Sequence, residues 1–297
     1  MSHPIYHELH TIRDWMRYTV SRFEEAGLFY GHGTQNSYDE AAWLILAALH
    51  LPHDTLETFF DAVITEAERK HLAHLIERRV TERIPTAYLV REAWLGEYKF
   101  YVDERVIVPR SFIAELLRDN LAPWVENPEE VVSAADICTG SGCLAILLAM
   151  AFPNAEVDAV DISDDALAVT RRNISDYGLE GHVNPVKSDM LTALAGKKYD
   201  AIISNPPYVN APSMEALPPE YRHEPQLALA SGEDGLEHVR TLLSEAASHL
   251  HPGGLVIVEI GHNRDELEMQ FPDLPFTWLE VAAGNGFVFL LTREQLA

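Results

Sequence analysis

The chain has 297 residues, is 47% hydrophobic and carries a formal net charge of −24. That length allows one large or two ordinary domains with full cores. The charge disfavours nucleic acid as a direct partner, because phosphate binding needs clustered Lys and Arg. No apolar run approaches the roughly 18 residues that span a bilayer.

Met1-Ser2-His3-Pro4 begins no basic segment followed by an apolar stretch, so a secretory signal is not expected. The only cysteines, Cys138 and Cys143, fit a reducing cytosol better than a disulfide framework. A cytoplasmic protein with a basic macromolecule as partner is therefore expected, an acidic proteome being the alternative source of the charge. The arginines Arg78, Arg79 and Arg83 read as one solvated helix face.

Residues 7–84 read as helices. Leu9, Ile12, Met16, Val20 and Phe23 recur at three- and four-residue steps, and Gly27 ends that face. Ser37 with Glu40 and Thr65 with Glu68 have capping-box spacing. Leu72, Leu75, Ile76 and Ile84 follow along one side of the later helix. Ala41 to Leu51 is apolar nearly all round, as at the centre of a small bundle. His3, His7 and His10 have helical spacing and read as a solvated helix; no metal is expected.

Pro85 closes this region. Around Gly96, the residues Trp94, Phe100, Tyr101, Val102 and Val106 to Val108 predict short strands. The expected organisation is a helical domain over 1–84, a β-hairpin linker over 85–110 and a second domain over 111–297.

From there strand and helix alternate. Strands are predicted over 131–138, 156–161, 182–187, 199–204, 255–260, 277–281 and 286–291. Helices are predicted over 144–151, 164–177, 235–250 and 263–270. The last two strands form a hairpin turning through Ala283-Gly284-Asn285-Gly286. This pattern predicts an α/β fold: a doubly wound, seven-stranded, mostly parallel sheet with one antiparallel strand at or near an edge.

Open sheets of this kind bind ligands at the C-terminal ends of their strands, and four strand ends here are polar. Asp136-Ile137-Cys138-Thr139-Gly140-Ser141-Gly142 closes the first with a turn that lets a ligand approach backbone N–H groups. Asp161 ends the second, where an acid accepts from a ribose diol; a helix cap beside Ser163 is the plainer reading. Ser188-Asp189 ends the third. Asn205-Pro206-Pro207-Tyr208 ends the fourth, and consecutive prolines cannot continue a strand. This rigid corner offers the Asn205 side-chain carbonyl, the Pro206 carbonyl and the Tyr208 ring to a planar –NH2 group; a simple tight turn is the alternative. Together these ends predict a nucleoside-binding cleft. A dehydrogenase fits less well, since Ala145 stands where Gly-x-Gly-x-x-Gly would place its last glycine.

The words Asp136-x-Cys138-x-Gly140-x-Gly142, Asp161, Asp189 and Asn205-Pro206-Pro207-Tyr208 resemble those of S-adenosylmethionine-dependent amino-methyltransferases. Over nearly its full length the chain is similar to the protein-glutamine N5-methyltransferases. Pro85-Thr86-Ala87-Tyr88-Leu89, Val108-Pro109-Arg110 and Glu224-Pro225 leading to Asp234-Gly235-Leu236 add to the match. One branch modifies peptide-chain release factors and usually has Pro-Glu-Thr-Glu after Pro-Arg. This chain has Ser111-Phe112-Ile113-Ala114-Glu115, which resembles the other branch, acting on the third large-subunit ribosomal protein.

The resemblance implies a class I methyltransferase fold and S-adenosylmethionine as cofactor, with S-adenosylhomocysteine as product and no metal. It implies that the turn of Asp136, Cys138, Thr139, Gly140, Ser141 and Gly142 meets the cofactor's amino-acid end. Asp161 would hold the ribose, and Asp189 with Met190 the adenine. Asn205, Pro206, Pro207 and Tyr208 would grip the substrate amide, with Asn205 also beside the cofactor. The helical domain would recognise the protein substrate. Cys138 departs from the family's usual glycine, which implies an altered turn. The same corner also serves enzymes that methylate adenine amines in DNA or RNA, and a non-catalytic ribosome-assembly scaffold is the remaining alternative.

Overall fold

The computed structural model describes residues 5–296, so the opening tetrapeptide and His3 lie outside the described residues. The chain divides into two units. One is Met1–Ala93 with Pro218–His223, and the other is Trp94–Leu217 with Glu224–Ala297.

The first unit is helical: α1 (Ile12–Glu25), α2 (Ser37–Ala48), α3 (Leu56–Phe59), α4 (Glu66–Thr81) and α5 (Thr86–Val90). Its core is built from Trp15, Phe23, Leu44, Ile45, Leu72 and Ile76. Helix α1 starts later than its periodicity suggests. Thr11 Oγ1 accepts from the Asp14 N–H at 3.2 Å and Asp14 Oδ2 accepts from the Thr11 N–H at 2.9 Å, a capping box that fixes the first turn at Ile12. His7 and His10 therefore precede α1; His7 lies in a single 3-10 turn and His10 Nδ1 meets Arg69 Nη1 at 2.8 Å.

The Thr65–Glu68 box forms, but the Ser37–Glu40 box does not. Asn36 caps α2 by accepting from the Asp39 N–H, which releases Glu40 to turn inward. There it pairs with Arg79 Nε and accepts from Thr86 Oγ1 at 2.9 Å. Arg79 Nη1 lies 3.3 Å from Glu220 Oε1, and Glu220 also accepts from the Phe29 N–H at 3.0 Å. Arg79 is 1% exposed, so it does not share a solvated face with Arg78. Only a carboxylate on either side makes burial of that guanidinium tolerable. Helix α4 ends at Thr81, which leaves Ile84 outside it, and Pro85 begins α5 instead of closing the region.

The second unit starts with the hairpin β1 (Ala93–Leu95) and β2 (Tyr98–Phe100), turned at Gly96. The expected strand at Val106 to Val108 is absent. The Val106 N–H donates to Asp103 O at 3.1 Å and the Val108 N–H to Glu224 Oε1 at 2.9 Å, so neither is available to a ladder.

The remaining strands are β3 (Ser133–Ile137), β4 (Glu156–Asp161), β5 (Val183–Lys187), β6 (Tyr199–Ser204), β7 (Leu250–Glu259), β8 (Thr277–Val281) and β9 (Gly284–Thr292). They form one sheet in the order β5-β4-β3-β6-β7-β9-β8. All ladders are parallel except those of β9, which is antiparallel to both neighbours. The closing hairpin turns one residue earlier than the glycines suggest: Val281 already pairs with Gly284, and a bulge between Leu279 and Glu280 accommodates Gly286.

The helices of this unit are α6 (Ile113–Arg118), α7 (Cys143–Ala151), α8 (Asp164–Asp176), α9 (Ala211–Ala216), α10 (Glu237–His249) and α11 (Arg264–Gln270). Alternate strand residues serve opposite faces. Ala134, Val157 and Ile203 pack with α6 and α7, whereas Ala135, Val160 and Ile202 pack with α10 and α11. The chain runs outward from β3 to β5 and then returns to β6 on the other side of β3. Ligands of open α/β sheets bind at such a reversal, beyond the carboxyl ends of the strands. Ile137 is level with both Val160 and Ser204, so Cys138, Asp161 and Asn205 leave the sheet side by side. No helix among the described residues is long and apolar enough to cross a membrane.

Candidate active site

The turn after β3 is shaped by its left-handed residues and held by contacts from β4 and α8. Cys138, Gly140 and Gly142 all have left-handed φ values, +63°, +57° and +81°. Cys138 thus takes a conformation that favours glycine, at a cost of about 1–2 kcal/mol. The Thr139 N–H donates to Val160 O at 2.8 Å, and Thr139 Oγ1 to Asp136 Oδ2 at 2.6 Å. Thr170 Oγ1 donates to Gly140 O at 2.9 Å and Asn173 Nδ2 to Ser141 O at 2.8 Å. A Cβ on Gly142 would lie 2.8 Å from Thr170 Cγ2, so α8 needs glycine there. A Cβ on Gly140 would meet nothing within 4 Å.

Asp161 closes the turn from β4. Its Oδ2 accepts from the Gly140 N–H and its Oδ1 from the Ser163 N–H, each at 2.9 Å. Burial nevertheless raises its pKa. Asp136 is buried more deeply, with Oδ1 unpartnered, and burial pushes its pKa up to about 7. Desolvation raises the Cys138 thiol as well; its Sγ lies 3.9 Å from Met190 Sδ.

One cavity opens at these strand ends. Cys138, Gly140, Asp161, Asp189, Met190, Asn205 and Pro207 all line it. Asp136, Thr139, Ser141, Gly142, Pro206 and Tyr208 do not, and the first four act by shaping the turn. Sequence reasoning missed the opposite wall, formed by Arg105 to Ile107 and by Pro225, Leu227 and Ala228, together with His238. The two wall segments are tied by Arg110, whose Nη1 and Nη2 donate to Glu224 at 2.6 and 2.8 Å. In the sequence, Val108-Pro109-Arg110 and Glu224-Pro225 stand only as words of the resemblance; the fold shows that they meet.

The corner after β6 is stiff and polar. Ser204 Oγ donates to Ile137 O at 2.6 Å. Asn205 Oδ1 is buried with no hydrogen-bond partner, and among the described residues nothing donates to Pro206 O. A buried unpartnered carbonyl costs about 1–3 kcal/mol, a cost that a bound donor would remove. Tyr208 is fixed from behind. Its carbonyl accepts from Asn263 Nδ2 at 2.8 Å, and a Cβ on Gly235 would lie 2.5 Å from that oxygen. A Cβ on Gly261 would lie 2.7 Å from ring atom Cε2. Asn263 and Gly261 carry no sequence word of their own and were not anticipated.

An acid at the second strand end, an open glycine backbone beside it and an apolar slot of Met190, Leu227 and Ala228 suit a nucleoside with a charged tail. A sheet of this order, with its sole antiparallel strand next to the edge and this cleft at the reversal, defines a class I methyltransferase. The fold agrees with that of a solved hMettl16 catalytic domain in complex with MAT2A 3'UTR hairpin 1. The TM-score is 0.50 at 15% identity, over 94% of this chain and 90% of that one.

Residues 14–90 match the family described as PrmC N-terminal domain, and residues 115–217 the Methyltransferase small domain. Ribosomal protein uL3 glutamine methyltransferase of Neisseria meningitidis is 59% identical over 289 residues, 97% of this chain and 95% of the relative. The proteins of the same name from Bordetella pertussis and Burkholderia pseudomallei are 55% and 53% identical, over 97% and 96% of this chain and 97% and 95% of theirs. The chain belongs to the ribosomal protein uL3 glutamine methyltransferase family, whose members are S-adenosylmethionine-dependent enzymes.

Proposed function

We propose that this enzyme methylates the side-chain amide nitrogen, N5, of a glutamine in ribosomal protein uL3. The observation that carries the reading is Asn205 Oδ1, a buried acceptor with no partner at the tip of β6, one residue from the open Pro206 carbonyl. Two such acceptors take the two hydrogens of a primary amide. The names of the relatives supply the protein in which that amide sits, and the net charge of −24 suits a basic partner. The helices of residues 1–84 would hold that protein. A cytoplasmic location follows from the same substrate.

S-adenosylmethionine, when bound, supplies a methyl group activated by its sulfonium. The open backbone at Cys138 to Gly140 would receive its amino-acid end. Asp161 would accept from the ribose hydroxyls, Asp189 from the adenine amine, and Met190 would pack on the ring.

An amide nitrogen is a weak nucleophile because its lone pair is delocalised into the carbonyl. Asn205 Oδ1 and Pro206 O would each accept one amide N–H, which fixes the nitrogen and favours positive charge growing on it. Because the corner is preformed, no reorganisation is needed when that charge appears. Tyr208 would lie on the flat face of the amide and exclude water. The surplus proton would leave to water after transfer, so no base on the enzyme is invoked.

The test is a tritiated-methyl assay offering uL3, assembling large subunits and release factors side by side. Label in a uL3 glutamine is expected. Label in release factor alone would move the enzyme to the sister branch. Label in nucleic acid would replace the amide by a base amine, and none anywhere would leave a scaffold.

A further inference from the structure

His238, the second residue of α10, lines the same cavity as Asp189, Met190 and Ala228. Its Nδ1 lies 2.9 Å from Ser231 Oγ, and its own backbone N–H lies 3.4 Å from that same oxygen. Ser231 is 0% exposed. Its hydroxyl hydrogen therefore has no water to bind, and His238 Nδ1 is the acceptor that the structure offers it. If His238 carried its proton on Nδ1 instead, the serine hydrogen would be buried without a partner, costing about 1–3 kcal/mol. Donor and acceptor counting thus assigns the hydroxyl as donor to Nδ1 and leaves the imidazole proton on Nε2. Burial holds the ring below its ordinary pKa against the carboxylates of Glu237 and Asp189, which keeps it neutral.

Asp189 alone offers only acceptor oxygens. An acceptor reads an exocyclic amine but does not tell one amino-bearing base from another. Adenine carries a ring nitrogen acceptor on either side of that amine, N1 and N7, and N7 has no counterpart in cytosine. A fixed N–H donor near Asp189 completes the complementary pattern.

We propose that Ser231 and His238 form a base-reading pair in which Ser231 locks the tautomer and the His238 Nε2–H donates to a ring nitrogen of the cofactor's adenine. The inference rests on the cofactor reading above and adds a specificity-determining residue to it. A plainer role is to hold the start of α10, since Ser231 also accepts from a backbone N–H there.

Calorimetric titration with S-adenosylhomocysteine separates the two, using 1-deaza and 7-deaza analogues as the arms that distinguish N1 from N7. His238→Phe is expected to weaken S-adenosylhomocysteine about 3- to 20-fold, and Ser231→Ala about 2- to 5-fold, the range for one neutral hydrogen bond and its positioning. His238→Gln, which still presents an N–H, is expected to recover most of the loss. The wild type is expected to lose a similar factor on one deaza analogue, a loss that His238→Phe no longer shows. Equal wild-type affinity for both analogues and the parent would overturn the inference even if the variants failed to fold. A wild type that binds no S-adenosylhomocysteine at all would overturn the cofactor reading with it.

Discussion

Asp161 reaches back to Gly140 across the ends of two neighbouring strands, accepting its N–H at 2.9 Å through Oδ2. The other oxygen holds the Ser163 N–H, so one carboxylate shapes both the turn after β3 and the start of α8. Asp161→Ala is therefore expected to weaken S-adenosylhomocysteine binding by about 1–3 kcal/mol, through the lost acceptor and the loosened turn together. Asp161→Asn should fall between, because one of its two positions presents an N–H to a backbone donor. Calorimetry on both variants checks this, and unchanged affinity would exclude the role.

Asn205→Ala removes the unpartnered acceptor without touching the turn that holds the cofactor. kcat should fall by roughly 10²- to 10⁴-fold, the range for a preorganised contact that strengthens in the transition state. S-adenosylhomocysteine affinity should move far less. Measuring both on one preparation decides it, since near-normal turnover is incompatible with the amide clamp.

Gly261→Ala places a methyl 2.7 Å from Tyr208 Cε2 at a φ of +57°. The backbone cost is about 1–2 kcal/mol, and the ring must move. A displaced clamp should lower kcat by about 10- to 100-fold. The effect should not add to that of Tyr208→Ala, because both act on the same ring. Steady-state rates of the two single variants and the double variant test this.

Arg79→Met leaves Glu40 and Glu220 facing each other in an interior where all three side chains are at most 3% exposed. Removing one partner of a buried pair costs about 3–5 kcal/mol. Urea unfolding should show that loss, with part of it regained when Glu40→Gln is added.

Burial pushes the Glu259 carboxyl up to about 7, although Ser111 Oγ and the Phe112 N–H both donate to Oε2. In the unfolded chain it titrates near its ordinary 4.5. The folded state thus binds the extra proton between these values, so stability falls as pH rises through that window and levels off above about 7. Glu259→Gln keeps an oxygen for both donors and carries no charge. Its melting temperature should decline less than that of the wild type between pH 4.5 and 7. Parallel slopes would show that Glu259 does not titrate there.

Local pattern was sufficient wherever one element answers to its own residues. The three-and-four spacing from Ile12 to Phe23, the apolar runs of β3 to β7 and the two prolines after Asn205 each specify their conformation through short-range sterics or burial of one face. The resemblance then supplied roles for Asp161, Asp189 and Asn205, because those words lie at strand ends whose order along the chain is itself visible. Arg79 was misjudged for the opposite reason. A charge on a helix looks solvated until Glu40 and Glu220, far away in the chain, are brought to it.

The amino-acid order by itself determined the two classes of element, the alternation that makes a parallel sheet and the rigid corner that ends β6, since dihedral restriction and periodicity are local. Only the tertiary structure decided which wall faces that corner, that Arg110 meets Glu224, that Gly261 backs the Tyr208 ring and that Ser231 meets His238. Those facts depend on contacts between segments distant in the chain, where packing and the satisfaction of buried polar groups select the partner.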